Sequence, residues 1–463
     1  MKKGEIFEGT IERIEFPNKG IVQIDGKPVI VKNGIPGARV RFRINKKKGD
    51  RVEGCLQERL EKSPLETREA LCECFPDCGG CVYQTMSYRS QLEMKQRQIR
   101  TLIERALVLG KQTDSAGQPD YIFEGILPSP LEAHYRNKME YSFGDSFKGG
   151  PLSLGLHKKN STYDVLTADT CQIVHEDFNR ILSCVLTYCT EQKLPYYHKM
   201  SHVGFLRHLL VRRAEATGEI LAALVTSSQM EVNLTPLTER LKELHLEGRL
   251  TGFLHIINDS PADVVKSDKT SILYGRDYFY EEILGLKFRI TPFSFFQTNS
   301  RGAEVLYGKA REYIGDVKDA VVFDLYSGTG TIGQIMAPAA KKVIGVEIVE
   351  EAVVAARENA LGNHLENCTF LAGDVLKMLD EIKERPDYII LDPPRDGIHP
   401  KALRKIIDYG VDRLVYISCK PTSLIRDLDM FLMNGYRVEK VSCVDMFPWT
   451  YHVEPVVLLS KAN

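Results

Sequence analysis

The sequence predicts an α/β protein in three parts: an OB-like β-barrel over residues 1–59, a sheet-rich central domain over 60–290, and a doubly wound sheet over 291–463. Three observations predict it. Short runs that alternate apolar and polar residues fill the first segment. Apolar runs of strand length crowd the middle. From about residue 291, strands alternate with helix-length segments, the pattern of a parallel sheet with crossover helices. At 463 residues the chain is too long for one ordinary core, so several domains are expected.

Composition narrows the class. With 43% hydrophobic and 27% charged residues, the chain reads as a soluble globular protein. The start, Met1-Lys-Lys-Gly-Glu5, is polar with no apolar run behind it, and no apolar stretch has bilayer length. No membrane partner is expected. Eleven cysteines without a secretory signal point to a reducing, cytoplasmic setting, where thiols serve metals or catalysis.

The runs Ile6-Phe-Glu-Gly-Thr-Ile-Glu-Arg-Ile14, Gly20-Ile-Val-Gln-Ile24, Pro28-Val-Ile-Val31 and Arg39-Val-Arg-Phe-Arg-Ile44 read as short strands, with Asp25-Gly26 as a hairpin turn. Such strands make a small barrel of a kind that often binds oligonucleotides. Residues 1–55 hold 13 Lys/Arg against 7 Asp/Glu, although the whole chain carries a net charge of −1. Arg39, Arg41, Arg43, Lys46, Lys47, Lys48 and Arg51 lie close together, which suggests phosphate contacts. The segment resembles a TRAM domain, an RNA-binding barrel. Leu60-Glu-Lys-Ser-Pro64 reads as a linker.

Next comes Cys72-Glu-Cys-Phe-Pro-Asp-Cys78-Gly-Gly-Cys81. Four thiols in so tight a turn suggest an iron–sulfur cluster or a structural zinc. Cys171 is the best distant candidate for a further ligand. The residues leave the set open. Cys74, Cys78 and Cys81 have the spacing of radical-SAM enzymes; Cys72, Cys78 and Cys81 form a second set with Cys74 spare. An amphipathic helix follows over 86–107, with Leu92, Ile99 and Ala106 on its apolar face. Central strands are expected at 138–143, 153–157, 206–212, 220–225, 252–257 and 286–290. Tyr135-Arg-Asn-Lys138 and Arg207-His208 are candidate RNA contacts.

In the C-terminal part, strands are expected at 320–325, 342–347, 368–372, 387–391 and 413–418, helices at 349–360 and 400–409, and a final hairpin at 436–445 and 453–460. Gly328-x-Gly330-x-x-Gly333 follows the first of these strands. Alone this pattern reads most often as NAD binding. Here Asp324 precedes the turn, Glu347 ends the next strand and Asp374 ends the third. Turn, acid, acid on consecutive strands is the layout of class I S-adenosylmethionine-dependent methyltransferases, whose sheet is Rossmann-like. Each acid could instead be a helix N-cap. The run Leu414-Val-Tyr-Ile-Ser-Cys419 ends polar where a strand should stop, so Cys419 is read as a nucleophile at the ligand-binding edge of the sheet. A free thiol has a pKa of about 8.5, and Lys420 with the following helix N-terminus is expected to lower it.

Asp324-Leu-Tyr-Ser-Gly-Thr-Gly330, Leu391-Asp-Pro-Pro-Arg395, Tyr416-Ile-Ser-Cys-Lys-Pro-Thr-Ser423 and Met446-Phe-Pro-Trp-Thr-Tyr-His-Val-Glu454 together resemble the RNA 5-methyluridine methyltransferases. Phe295-Phe-Gln297-Thr-Asn299 looks like the stretch that opens their catalytic domain. The cysteine-rich and barrel segments narrow the resemblance to the 23S ribosomal RNA (uracil-5-)-methyltransferases. The resemblance implies S-adenosyl-L-methionine held by Gln297, Tyr326, Glu347 and Asp392, with Gly328 and Asp374 beside them. It implies Cys419 as the nucleophile that adds to C6 of uracil and Glu454 as acceptor of the C5 proton. It implies a [4Fe–4S] cluster on Cys72, Cys78, Cys81 and Cys171. The implied partner is 23S rRNA, with the enzyme working as a monomer. Alternatives are a cytosine-5 RNA methyltransferase, a tRNA uridine-5 methyltransferase, radical-SAM chemistry at Cys74/Cys78/Cys81, and a non-catalytic RNA-binding protein.

Overall fold

The computed structural model describes residues 1–262 and 267–461. Five strands, β1 (Ile6–Glu15), β2 (Lys19–Ile24), β3 (Lys27–Lys32), β4 (Arg39–Lys48) and β5 (Arg51–Glu61), close into a barrel in the order β1-β2-β3-β5-β4. Strand alternation explains its core. Val40, Phe42 and Ile44 point inward with Ile11, Val22, Val29 and Val31. The outward residues of β4 correct the expectation of a free basic cluster. Arg39 meets Glu61 at 3.1 Å and Glu8 at 3.2 Å, while Arg41 meets Glu8 at 2.7 Å and also Glu58. The exposed cations Arg43, Lys46 and Lys48, farther along the strand, are in none of these pairs.

After the barrel come α1 (Tyr88–Leu109) and β6 (Ile122–Leu127). The central sheet is built from β7 (Lys138–Asp145), β8 (Leu152–His157), β9 (Val165–Thr167), β10 (Leu206–Arg213), β11 (Glu219–Thr226), β12 (Arg249–Ile257) and β13 (Lys269–Gly275), in the order β13-β12-β11-β10-β7-β8-β9. Helices α2 (Glu176–Glu191) and α3 (Thr235–Lys242) cover one face. Strand β11 shows how the other face is used. Ile220, Ala222 and Leu224 join the core under α2 and α3; Leu221, Ala223 and Val225 join a core shared with the C-terminal part. Burial on both faces explains the unbroken apolar run of that strand.

A hairpin, β14 (Phe279–Ile283) and β15 (Leu286–Ile290), leads into α4 (Ser300–Ile314). Then follow β16 (Val317–Leu325), α5 (Thr331–Met336), β17 (Ala340–Glu347), α6 (Glu350–Gly362), β18 (Cys368–Ala372), α7 (Val375–Glu381), β19 (Tyr388–Leu391), α8 (Pro400–Asp408), β20 (Arg413–Ile417), α9 (Pro421–Met433), β21 (Tyr436–Val444) and β22 (Glu454–Lys461). The sheet order is β18-β17-β16-β19-β20-β22-β21-β6. Strands β16 to β20 are parallel, and β22 runs antiparallel to β20 and β21. The strand order reverses between β16 and β19, which opens a crevice at their carboxyl ends.

The boundary expected at residue 290 is crossed. Strand β6 pairs in parallel with β21 at the edge of the C-terminal sheet. Ile99, Ile103 and Leu107 of α1 pack with Leu424, Leu428 and Phe431 of α9 in the core of the same unit. One buried ion pair fastens α1 to it: Lys95 Nζ lies 2.6 Å from Asp445 Oδ1, and neither side chain reaches solvent. Lys95 also donates to the Phe447 carbonyl at 3.2 Å. Removing one partner leaves a bare charge in low dielectric. Lys95→Ala is therefore expected to destabilise the chain by about 3–5 kcal/mol, while Lys95→Met with Asp445→Leu costs far less; denaturant midpoints of the two variants check this.

Candidate active site

The turn after β16 is shaped by its backbone. Tyr326 takes φ +68°, and Gly328 and Gly330 take φ +53° and +72°. The Tyr326 and Ser327 N–H groups both donate to the Val346 carbonyl, at 2.9 and 3.0 Å. A side chain at Gly330 would meet the Phe370 ring at 2.6 Å, so the turn needs glycine there for space as well as for conformation. Asp324, fully buried, accepts from the Gly333 N–H at 2.8 Å and so ties the strand to α5. Burial pushes its carboxyl up to about 7.

The two acids downstream are engaged locally. Glu347 accepts from the Gly328 and Val349 N–H groups, each at 3.0 Å, and thereby closes the turn onto the end of β17. Asp374 is the N-cap of α7, accepting from Leu376 N–H at 2.8 Å. The carboxylates of Asp374 and Asp427 bear on the Tyr326 hydroxyl, whose pKa burial and these charges raise. Gln297 enters from the loop before α4. Its carbonyl accepts from Asn137 Nδ2 at 3.0 Å, and its side chain draws down the pKa of the buried Tyr307 hydroxyl against the rise that burial imposes.

Cys419 follows β20, half-buried. Asp392 follows β19, Glu454 opens β22, and Arg395 lies three residues past Asp392. These four side chains, from three strand ends, form one electrostatic group. The thiol of Cys419 is pushed up by burial first, then by Glu454 and Asp392, while Arg395 hydrogen-bonds it and pulls it down. This corrects the expectation that Lys420 and the helix N-terminus would lower it. Lys420 points instead to Asp396, 3.7 Å away. Glu454 is 4% exposed, and burial raises its carboxyl to about 7 against the pull of Arg395. Asp392 is raised well above the usual carboxylate range by burial, Glu454 and Asp324.

The cysteine turn lies against the same unit. Cys72, Cys74, Cys78, Cys81 and Cys171 are within electrostatic reach of one another. Among the described residues no three His, Cys, Asp or Glu side chains surround a single metal-ion position. Cys72, Cys78, Cys81 and Cys171 are the four that the family resemblance assigns to a cluster. Gly80 N–H donates to Cys78 at 3.4 Å; the Cys74 side chain first, and then nearby backbone N–H groups, pull the Cys72 thiol down, and the N–H groups of Ile173 and Val174 counter burial at Cys171. Gln84 hydrogen-bonds Cys81. Amide donors aimed at sulfur are what thiolate ligands of such clusters receive. Cys74 does the opposite: its sulfur donates to the Thr167 carbonyl at 3.1 Å.

Three of the residues suggested as RNA contacts are engaged within the protein. Tyr135 is buried and its hydroxyl donates to the Pro448 carbonyl at 3.0 Å. Asn137 clamps the Gln297 loop, and Arg207 holds the carbonyls of Asn258, Ser260 and Ala262. Three site residues carried no role in the sequence reading. Arg395 was visible within Asp392-Pro-Pro-Arg395. His452, whose imidazole burial pushes down to about 4 with Arg395, Lys95 and Arg136 adding to the effect, was visible beside Glu454. Tyr307 sits inside α4 and left no signal.

A parallel sheet with one antiparallel strand inserted near its edge, a glycine turn at the strand-order reversal and acids on the next strand ends define an S-adenosylmethionine-dependent methyltransferase. The chain belongs to the tRNA (uracil-5-)-methyltransferase family, whose model matches residues 88–462. It is 51% identical to an RNA methyltransferase of Clostridium tetani, described as uncharacterized, over 100% of this chain and 99% of that one. A similarly described protein of Caldanaerobacter subterraneus subsp. tengcongensis is 48% identical over 100% of both chains. Among solved structures, the tRNA (uracil-54, C5)-methyltransferase of Pyrococcus abyssi, in complex with S-adenosyl-L-homocysteine, superposes with a TM-score of 0.75 at 25% identity. That match covers 98% of this chain and 100% of the other.

The charges around Cys419 set its titration. Arg395→Ala should raise the midpoint of Cys419 alkylation with pH, and Glu454→Gln should lower it, because the first change removes a cation and the second an anion. Peptide-resolved iodoacetamide labelling across pH checks both signs; a lower midpoint in Arg395→Ala would contradict the assignment.

Proposed function

We propose that this enzyme methylates C5 of a uridine in 23S rRNA, as a cytoplasmic monomer, with Cys419 as nucleophile and Glu454 as proton acceptor. The observation that carries the reading is the shared electrostatic group of Cys419, Glu454, Asp392 and Arg395 beside the glycine turn. Gln297, Tyr326, Gly328, Glu347, Asp374 and Asp392 would hold S-adenosyl-L-methionine, which supplies an electrophilic methyl group. Asp392 and Tyr307 both feel the charges of Asp324, before that turn, and of Glu454.

The steps follow from the base's chemistry. C5 of uracil is a poor nucleophile. Addition of the Cys419 sulfur to C6 forms an S–C6 bond and moves the ring electrons to make C5 enolate-like. C5 would then take the methyl group, whose bond to the donor's sulfonium sulfur breaks so that the sulfur leaves as a neutral thioether. The C5 proton passes to the Glu454 carboxylate, the C5–C6 double bond reforms and the S–C6 bond breaks, returning Cys419 as thiolate. A carboxyl held near 7 suits this task, since a base is most effective when its pKa lies near the working pH. The thiol, held above its ordinary value, stays protonated at rest, and Arg395 counters that. The uridine must leave its stack to reach the sulfur.

Cys419→Ala should abolish turnover while leaving RNA binding intact. Glu454→Gln should trap a covalent RNA adduct, seen as a slow band in denaturing gels, because elimination waits on loss of the proton. Absence of that band would count against Glu454. The test of the whole reading is nucleoside mapping in a deletion strain: 5-methyluridine should vanish from 23S rRNA. The likeness to the tRNA (uracil-54, C5)-methyltransferase over 98% of the chain favours one second reading, a tRNA substrate. Loss of 5-methyluridine from tRNA in the same strain would establish it, and loss of 5-methylcytidine would refute both.

We also propose a [4Fe–4S] cluster on Cys72, Cys78, Cys81 and Cys171, with a structural or RNA-positioning role. The Gly80 N–H donated to Cys78 supports it, and the bond from the Cys74 sulfur to the Thr167 carbonyl favours leaving Cys74 out of the set. Iron and sulfide content after anaerobic purification should survive Cys74→Ser and fall in Cys78→Ser; the reverse order would reassign the set.

A further inference from the structure

Trp449 is the one tryptophan of the chain. Its backbone lies in the left-handed region at φ +65°. That conformation is an outlier for so bulky a residue and persists only where the surroundings over-determine it. Here they do. The Val82 and Tyr83 N–H groups donate to the Trp449 carbonyl at 2.8 and 2.9 Å. The Trp449 N–H donates to Gln91 Oε1, and its indole Nε1–H donates to Glu132 Oε1, each at 2.9 Å. Its neighbours in the loop are held as firmly, Met446 by Asn299 at 2.8 Å, Phe447 by Lys95 at 3.2 Å and Pro448 by Tyr135 at 3.0 Å.

Two of these bonds start one and two residues beyond Cys81. The tryptophan ring, 1% exposed, packs in the same buried cluster as Cys81, Cys171 and Tyr135. Five residues after Trp449 the chain reaches Glu454, past the Tyr451 and His452 rings, whose centroids lie 4.4 Å apart at a tilt of 36°. One strained residue thus joins the thiol pocket to the carboxylate.

We propose that Trp449 is a positioning residue for Glu454, through which order in the cysteine-rich turn sets the place of that carboxylate against Cys419. The proposal rests on Glu454 acting as proton acceptor. While the turn is ordered, its two N–H groups hold residue 449 left-handed. When the turn loosens, those bonds are lost, the residue relaxes to an ordinary conformation, and the loop that follows is re-aimed.

The sole tryptophan makes this measurable without turnover. In the full-length protein as purified, segment 446–454 should be protected from hydrogen exchange and tryptophan emission should be blue. Cys81→Ser, or removal of iron by chelation, should expose 446–454 and shift the emission to the red, while the barrel strands keep their protection. Unchanged exchange and emission in Cys81→Ser would overturn the proposal. A second arm reads the chemistry. Trp449→Phe keeps the ring and loses the indole donor. It should lower kcat roughly 10- to 100-fold with KM for RNA unchanged, and it should accumulate the covalent adduct because proton loss slows. Glu132→Gln, which keeps an acceptor for the indole, should behave as the unaltered enzyme, and Glu132→Leu should follow Trp449→Phe. A fall in kcat without adduct would overturn the positioning role. If the unaltered enzyme forms neither 5-methyluridine nor adduct, the proposed function itself fails; if it forms both and segment 446–454 ignores the cysteines, only this inference does.

Discussion

The ammonium of Lys95 meets Asp445 at 2.6 Å with neither side chain open to water. Such a pair gains little over a well-packed apolar contact, but half of it alone is costly. It is therefore satisfied in one register only. Lys95 stands in the middle of α1, and Asp445 follows directly on β21. The pair fixes where the N-terminal half of the chain sits on the C-terminal sheet. It also fixes the start of the loop that ends at Glu454. The cysteine turn, Glu132 and Tyr135 then close on that loop from the other side.

The crowding of acids at the crevice has an electrostatic logic. Asp324, Asp392 and Glu454 come from three strand ends, and burial in a poorly solvated space raises the pKa of each, with Glu454 and Asp324 adding to the rise at Asp392. Protons are held there at neutral pH that a solvated carboxylate would have lost. A site like this costs stability, since burial disfavours the charged form of each acid. The wide core shared by the central and C-terminal sheets offsets that cost.

Some of what the sequence reading left out was visible. Helix α2 places Phe178, Ile181, Leu182, Val185 and Cys189 on one face at helical spacing, and its N-cap His175 precedes two acids. Strand β5 was harder, because its exposed residues include charges on both faces at the barrel end. The membership of β6 in the C-terminal sheet carried no side-chain signature. Edge pairing uses backbone N–H and C=O groups, which every residue but proline has.

Local chemistry was legible along the chain: the glycine turn, the acids at strand ends, the thiol after β20 and the cysteine spacing all depend on residue type and short-range order. Their electrostatic state was not. The thiol of Cys419 is raised rather than lowered because the fold buries it and because Glu454 and Asp392, 35 residues after it and 27 before it in the sequence, are folded against it. A Coulomb interaction depends on distance through space and on the water excluded between the charges. Neither quantity is written in the order of residues, so only the packed chain decided them.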